Sequence, residues 1–218
     1  MIEPNKTAIV IGATGLIGSA IVAQLERTDA FNSIVTLTRR PVAFNGNKVV
    51  NHVVDFDRLG DFSSLFKGDV LFSCLGTTLK QAGSIEAQRS VDLDYQLQAA
   101  EIACEQGVAH YLLVSSSGAN AKSVSPYLKM KGELEQAIKA LPFPRISIFQ
   151  PSLLLGERQD TRAGEALASK LLPLICRLPG LRRYRPIRGT QVAHKMVSES
   201  LQAGAGTYTF KLEQVFPA

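Results

Sequence analysis

Cysteine is scarce: only Cys74, Cys104 and Cys176 occur, and no two are spaced as CxxC. An odd count without that spacing suggests neither a disulfide framework nor a zinc site, and it points to a reducing, cytoplasmic setting. Histidine is as sparse. His52, His110 and His194 stand far apart with no HxxxH or HExxH spacing, so no metal is expected. There is no GxSxG turn, which argues against an α/β-hydrolase despite the serines. Internal repeats, low-complexity tracts and an obvious interdomain linker are missing too. The uncharged run 7–25 approaches the length of a membrane span, but it holds Gly12, Gly15 and Gly18 together with Thr14, Ser19 and Gln24. It reads as a strand, a turn and a helix, and no membrane partner is expected.

What is present is ordinary globular usage: 218 residues, 45% hydrophobic and 20% charged, enough for one core over residues 1–218. The net charge of +5 raises nucleic-acid binding as a reading. Its densest stretch, 177–188, carries Arg182, Arg183 and Arg185 around one aromatic, Tyr184. That clustering suits a solvated face or an anion-binding loop, and no nucleic acid is expected as a partner.

Short apolar runs alternate with segments of helical period, the pattern of a parallel sheet covered on both faces. Strands are predicted at 8–11, 33–38, 49–54, 70–74, 111–115, 146–150 and 207–211, and helices at 16–26, 85–106, 127–141, 164–172 and 192–202. Ser84 can cap the second helix, Gly107 ends it, and Pro142 closes the third. The fold class is therefore α/β: a Rossmann-type doubly wound parallel sheet in a single domain, 1–218. Beyond Pro151 the alternation fades and Arg, Gly and Pro increase, so 151–218 is expected to contribute a small substrate-side cap.

Directly after the first strand stands Gly12-Ala13-Thr14-Gly15-Leu16-Ile17-Gly18, a GxxGxxG variant of the dinucleotide fingerprint in its strand-to-helix setting. Gly12 would allow the tight turn, Gly15 the approach of a pyrophosphate, and Gly18 close packing of helix on strand. Thr14, Leu16 and Ile17 complete the cradle, and the helix N-terminus offers free N–H groups. Where NAD-preferring proteins place an acid after the second strand, this chain has Arg39 and Arg40. Two cations there favour a 2′-phosphate, hence NADP(H). Asp55, after the third strand, is placed either to accept from an adenine amino group or to cap a helix. Leu75, Gly76 and Thr77, after the fourth, would run along the cofactor.

After the fifth strand come Ser115, Ser116, Ser117 and Gly118, and then Tyr127 and Lys131 at YxxxK spacing. Residues i and i+4 share a helix face, so the Lys131 ammonium can stand beside the Tyr127 phenol and favour its ionised form. Tyr127 could then trade a proton with a substrate oxygen, with a serine hydroxyl hydrogen-bonded to the same atom. Ser115 is preferred on spacing, with Ser116 the alternative. Arg158 and Arg162 could meet an anionic substrate.

With these motifs, with Tyr127-Leu128-Lys129-Met130-Lys131-Gly132-Glu133 and with the loop Gly156-Glu157-Arg158-Gln159-Asp160, the chain resembles the atypical short-chain dehydrogenases/reductases, and within them the Tat-interacting-protein oxidoreductase-like family. The resemblance runs through most of the chain. It implies a Rossmann fold, NADP(H) binding and a Ser-Tyr-Lys site on Ser115 or Ser116, Tyr127 and Lys131, the last also a cofactor contact. It departs at the helix position often held by Asn, where only Asp92 or Asp94 is near. The function expected is reduction or oxidation of a small carbonyl or alcohol. The alternative is a non-catalytic NADP(H)-binding sensor or protein-interaction module, with a protein partner or a homodimer.

Overall fold

The computed structural model describes residues 6–155 and 185–217. Seven strands form one sheet in the order β3-β2-β1-β4-β5-β6-β9. They are β1 (Lys6–Ile11), β2 (Phe31–Thr38), β3 (Val49–Val53), β4 (Val70–Ser73), β5 (His110–Val114), β6 (Arg145–Gln150) and β9 (Gly206–Lys211). Every pairing is parallel. The chain winds outward from β1 to β3, then returns to lay β4 on the other side of β1. That reversal opens a crevice beyond the carboxyl ends of β1 and β4, the place where such sheets bind ligands.

Period-two alternation divides the strand side chains between two cores. Ile9, Ile11, Leu71, Tyr111 and Leu113 face one side, with Ala99 and Ala103 of α4 (Tyr95–Glu105) and Leu134 and Ile138 of α5 (Pro126–Ala140). Ala8, Val10 and Phe72 face the other, with Ile21 and Leu25 of α1 (Leu16–Glu26) and Val192 and Met196 of α6 (Gly189–Ser200). Both faces being covered, central strands such as VLFS of β4 are buried along their whole length.

The helix predicted over 85–106 is present with a break in its regularity. It begins as α3 (Ile85–Arg89), with Ser84 accepting from the Ala87 N–H, widens into a π turn at Ser90–Asp94 and continues as α4. A short α2 (Leu79–Ala82) precedes it, capped by Thr78. Phe56–Phe66, where no helix was expected, forms kinked 3-10 turns. Within 151–218, the strand predicted at 207–211 completes the main sheet beside β6 as residues 206–211, and the helix predicted at 192–202 is α6, which packs on α1 in the second core. Residues 154–155 (β7) and 187–188 (β8) make a small parallel pair. The helix predicted at 164–172 lies outside the described residues. The run 7–25 is β1, its turn and α1, and among the described residues no helix is long and apolar enough to cross a membrane.

Candidate active site

The turn after β1 is built on close approaches that only glycine permits. Gly12 has φ of +77°, and a Cβ there would stand 2.5 Å from the Cys74 carbonyl carbon. A Cβ on Gly18 would fall 2.2 Å from the Gly12 oxygen. α1 thus starts flush against β1 and β4, and its N-terminal residue Gly15 supplies no side-chain cap. Backbone N–H groups there remain open to an anion. Thr14 and Gly15 are exposed, whereas Ile17 is buried in the core and Leu16 lies under Gly189, so these two reach a ligand through backbone alone. This cradle fits a dinucleotide pyrophosphate.

Beyond β2 the Thr38 hydroxyl donates to the Arg40 carbonyl at 2.8 Å and fixes the turn that exposes Arg39 and Arg40. Arg39 lines a cavity of about 440 Å³ together with Val53, Asp55, Phe56, Asp57 and Tyr95. Arg40 does not line it. Asp55 does both things foreseen for it in part: Oδ1 accepts from the Asp57 N–H at 3.0 Å as a cap, while the residue also lines the cavity. Tyr95 and Asp57 were missed. The Tyr95 hydroxyl donates to Asp57 Oδ1, its ring centroid is 5.6 Å from that of Phe56, and the Asp57 carboxylate, with burial, pushes the phenol up to about 12. Nothing in the helical period around Tyr95 marks it as reaching across to the segment after β3.

Leu75, Gly76 and Thr77 leave β4 along the crevice, with Gly76 exposed. The Thr77 N–H donates to Asp92 Oδ2 at 3.0 Å, and Oδ1 of that carboxylate stands 3.0 Å from the Lys131 ammonium, off the line of a hydrogen bond. Both side chains are buried, 1% and 3% exposed. Of the two acids near the position often held by Asn, Asp92 therefore faces the lysine, whereas Asp94 lies outward, 3.8 Å from Arg89. The lysine also faces Cys74, whose thiol is pushed up to about 12 by burial, against the opposing pull of the Lys131 charge. That thiol is thereby kept protonated and inert.

Tyr127 sits on the first turn of α5, half-buried, and its hydroxyl holds no hydrogen bond among the described residues. The two serines differ in a way that spacing could not reveal. Ser115, 4% exposed, donates from Oγ to Glu135 Oε1 at 2.5 Å, and the same carboxylate takes the Gln150 amide at 2.8 and 3.1 Å. Ser116 is half-buried, and among the described residues its hydroxyl has only a long 3.5 Å contact to the Ser117 carbonyl. Glu135 had no marker in the sequence beyond lying one turn past Lys131. Arg158, Arg162, Arg182, Arg183, Tyr184 and the loop 156–160 lie outside the described residues.

A doubly wound parallel sheet, a glycine cradle at its switch point and a YxxxK helix define a nicotinamide-dinucleotide protein of the atypical short-chain dehydrogenase/reductase type. The chain belongs to the NAD dependent epimerase/dehydratase family, whose model it matches over residues 8–177. It is 40% identical to Protein HTATIP2 of Rattus norvegicus over 170 residues, which are 76% of this chain and 70% of that protein. It is 34% identical to "Protein FMP52, mitochondrial" of Debaryomyces hansenii over 209 residues, 92% and 91% of the two chains. Among solved structures, MoeE5 in complex with UDP-glucuronic acid and NAD is similar with a TM-score of 0.73 at 17% identity, covering 94% of this chain and 76% of that one. That likeness is one of fold. The expected cytoplasmic location does not stand, since the fungal relatives are named mitochondrial. Sparse cysteine argues only for reduced thiols and does not choose among reducing compartments.

Proposed function

We propose that the chain is an NADP(H)-dependent oxidoreductase acting on a small carbonyl or alcohol, a small-molecule substrate held over the crevice between β1 and β4. The observation that carries this reading is Lys131: a buried ammonium one helical turn along α5 from Tyr127, held 3.0 Å from Asp92, whose other oxygen takes the Thr77 N–H of the strand-end loop beside the glycine cradle. Gly12, Thr14, Gly15 and Gly18, with the backbone of Leu16 and Ile17, would hold the pyrophosphate. Leu75, Gly76, Thr77 and Lys131 would line the nicotinamide half, and Asp55 and Arg39 the adenosine end. A nicotinamide dinucleotide, when bound, supplies or accepts the hydride. Tyr127 exchanges the proton at the substrate oxygen, with Lys131 on the same helix face one turn further along α5. Ser116, whose hydroxyl is not committed to a carboxylate, is the better placed of the two serines to donate to that oxygen.

The preference for NADP(H) rests on Arg39 and Arg40, since the solved neighbours are complexes with NAD. Calorimetry with both dinucleotides tests it. Arg39→Ala should lose about 1.5–3 kcal/mol of NADP(H) binding while NAD(H) binding stays level, as expected for charge-assisted contacts to a phosphate. Equal binding of the two dinucleotides by the parent protein would overturn the preference. Turnover is tested on a panel of small carbonyls, where Tyr127→Phe should abolish reduction without weakening the dinucleotide. One observation favours a non-catalytic NADP(H) sensor instead: the serine that spacing prefers, Ser115, has its proton committed to Glu135. Dinucleotide binding with no turnover on the panel would support that reading.

A further inference from the structure

Asp92 lies on neither the glycine cradle nor the YxxxK helix, yet it touches both halves of the crevice. The π turn at Ser90–Asp94 widens the helix there, and Asp92 within it is buried. Gln96 stabilises the widened turn by donating to the carbonyls of Asp92 at 3.0 Å and Val91 at 3.4 Å, while its own oxygen accepts from Ser73 at 2.8 Å. The Asp92 carboxylate is consequently fixed from behind, with its two oxygens divided between elements. Oδ1 faces the Lys131 ammonium on α5, and Oδ2 takes the Thr77 N–H in the loop after β4. A Cβ on Gly76 would lie 3.4 Å from Oδ1, an ordinary contact distance, so the loop runs alongside this carboxylate. An ammonium that is 3% exposed needs such a counter-charge to remain there.

We propose that Asp92 is a positioning residue that clamps Lys131 to the Leu75–Thr77 loop, making the lysine and the cofactor-side backbone one rigid unit. Its catalytic meaning rests on the oxidoreductase reading; the clamp itself does not. Among the described residues, the Lys131 ammonium meets Asp92 from the π turn and its charge reaches Cys74 at the end of β4, while Tyr127 and Glu135 stand one turn to either side on α5.

The test is lysine footprinting with acetic anhydride, read by mass spectrometry on the apo protein. In Asp92→Asn the amine loses its counter-charge and swings to water, which raises acylation. Lys131 should then react about tenfold faster or more relative to Lys129 and Lys139, which lie on exposed faces of the same helix. An unchanged ratio overturns the proposal. Should Asp92→Asn not fold, Asp92→Asn with Lys131→Met removes both charges together: recovery of folding supports the clamp, and continued failure overturns it. The same pair of substitutions closes a cycle on NADPH affinity by calorimetry. A loss of about tenfold from Asp92→Asn in the parent that shrinks below about twofold in Lys131→Met supports action through the lysine. Equal losses in the two backgrounds overturn it. If the parent binds no dinucleotide, the oxidoreductase reading fails while the footprint still decides the clamp.

Discussion

His110 opens β5 with its ring 5% exposed and Nε2 2.9 Å from the Ser147 hydroxyl. Burial pushes it down to about 3, and the positive charges of Arg145 and Lys6 push the same way. The unfolded chain takes up this proton near the ordinary value of about 6.5, so the folded state binds fewer protons between there and about 3. Stability is thus complete above that window and declines as the pH falls through it, by at most about 1.4 kcal/mol per pH unit from this group. Urea unfolding of the parent at pH 7 and pH 5 should show the decline, and His110→Gln should lessen it. Equal pH dependence in the two proteins would remove the histidine as the cause.

At the scale of elements, α5 carries most of the candidate chemistry, and its neighbour is the loop between β5 and the helix. A Cβ on Gly132 would lie 2.1 Å from the Ala121 nitrogen and 2.2 Å from the Asn120 carbonyl carbon, so the bare helix surface beside Lys131 is what lets that loop lie down. Gly132→Ala should lift the loop that follows Ser115, Ser116 and Ser117. On the oxidoreductase reading it lowers turnover more than dinucleotide binding, a split that steady-state kinetics and calorimetry separate; an intact kcat would show that the loop tolerates displacement. The seven strands and the long helices were legible because short continuous apolar runs stand apart from segments of period 3.6, and because Ser84 and Gly107 punctuate the helix they bound. The π turn was not legible, since a single widened turn leaves the hydrophobic period almost intact. The role of Glu135 was hidden for a related reason: a carboxylate at helical spacing reads as solvated until the strand that buries it is in place. For the same reason, spacing alone preferred Ser115, whose hydroxyl is spoken for by a residue twenty positions away.

For the whole molecule, the final described segment is integral to the sheet. Arg145, at the start of β6, donates to Glu199 on α6 and to the carbonyls of Ala203 at 3.0 Å and Gly204 at 2.8 Å, with its guanidinium 4.3 Å from the centre of the Tyr208 ring. One side chain thus fastens α6 and the approach to β9 onto β6. Glu199→Gln leaves that guanidinium buried without its carboxylate and should cost about 3–5 kcal/mol, seen as a lowered midpoint in thermal or urea unfolding. A change under about 1 kcal/mol would mean that the two carbonyls alone suffice.

The parallel union of β6 with β9 also sets an order of events in the living cell. β6 is complete at Gln150, but its free edge meets its partner only when Lys211 has been made. At about 5–20 residues per second, the nascent chain carries an unpaired edge, destined to be buried along its whole length, for about 3–12 s of translation. The ribosome-bound intermediate is therefore the form in which this protein most needs a chaperone.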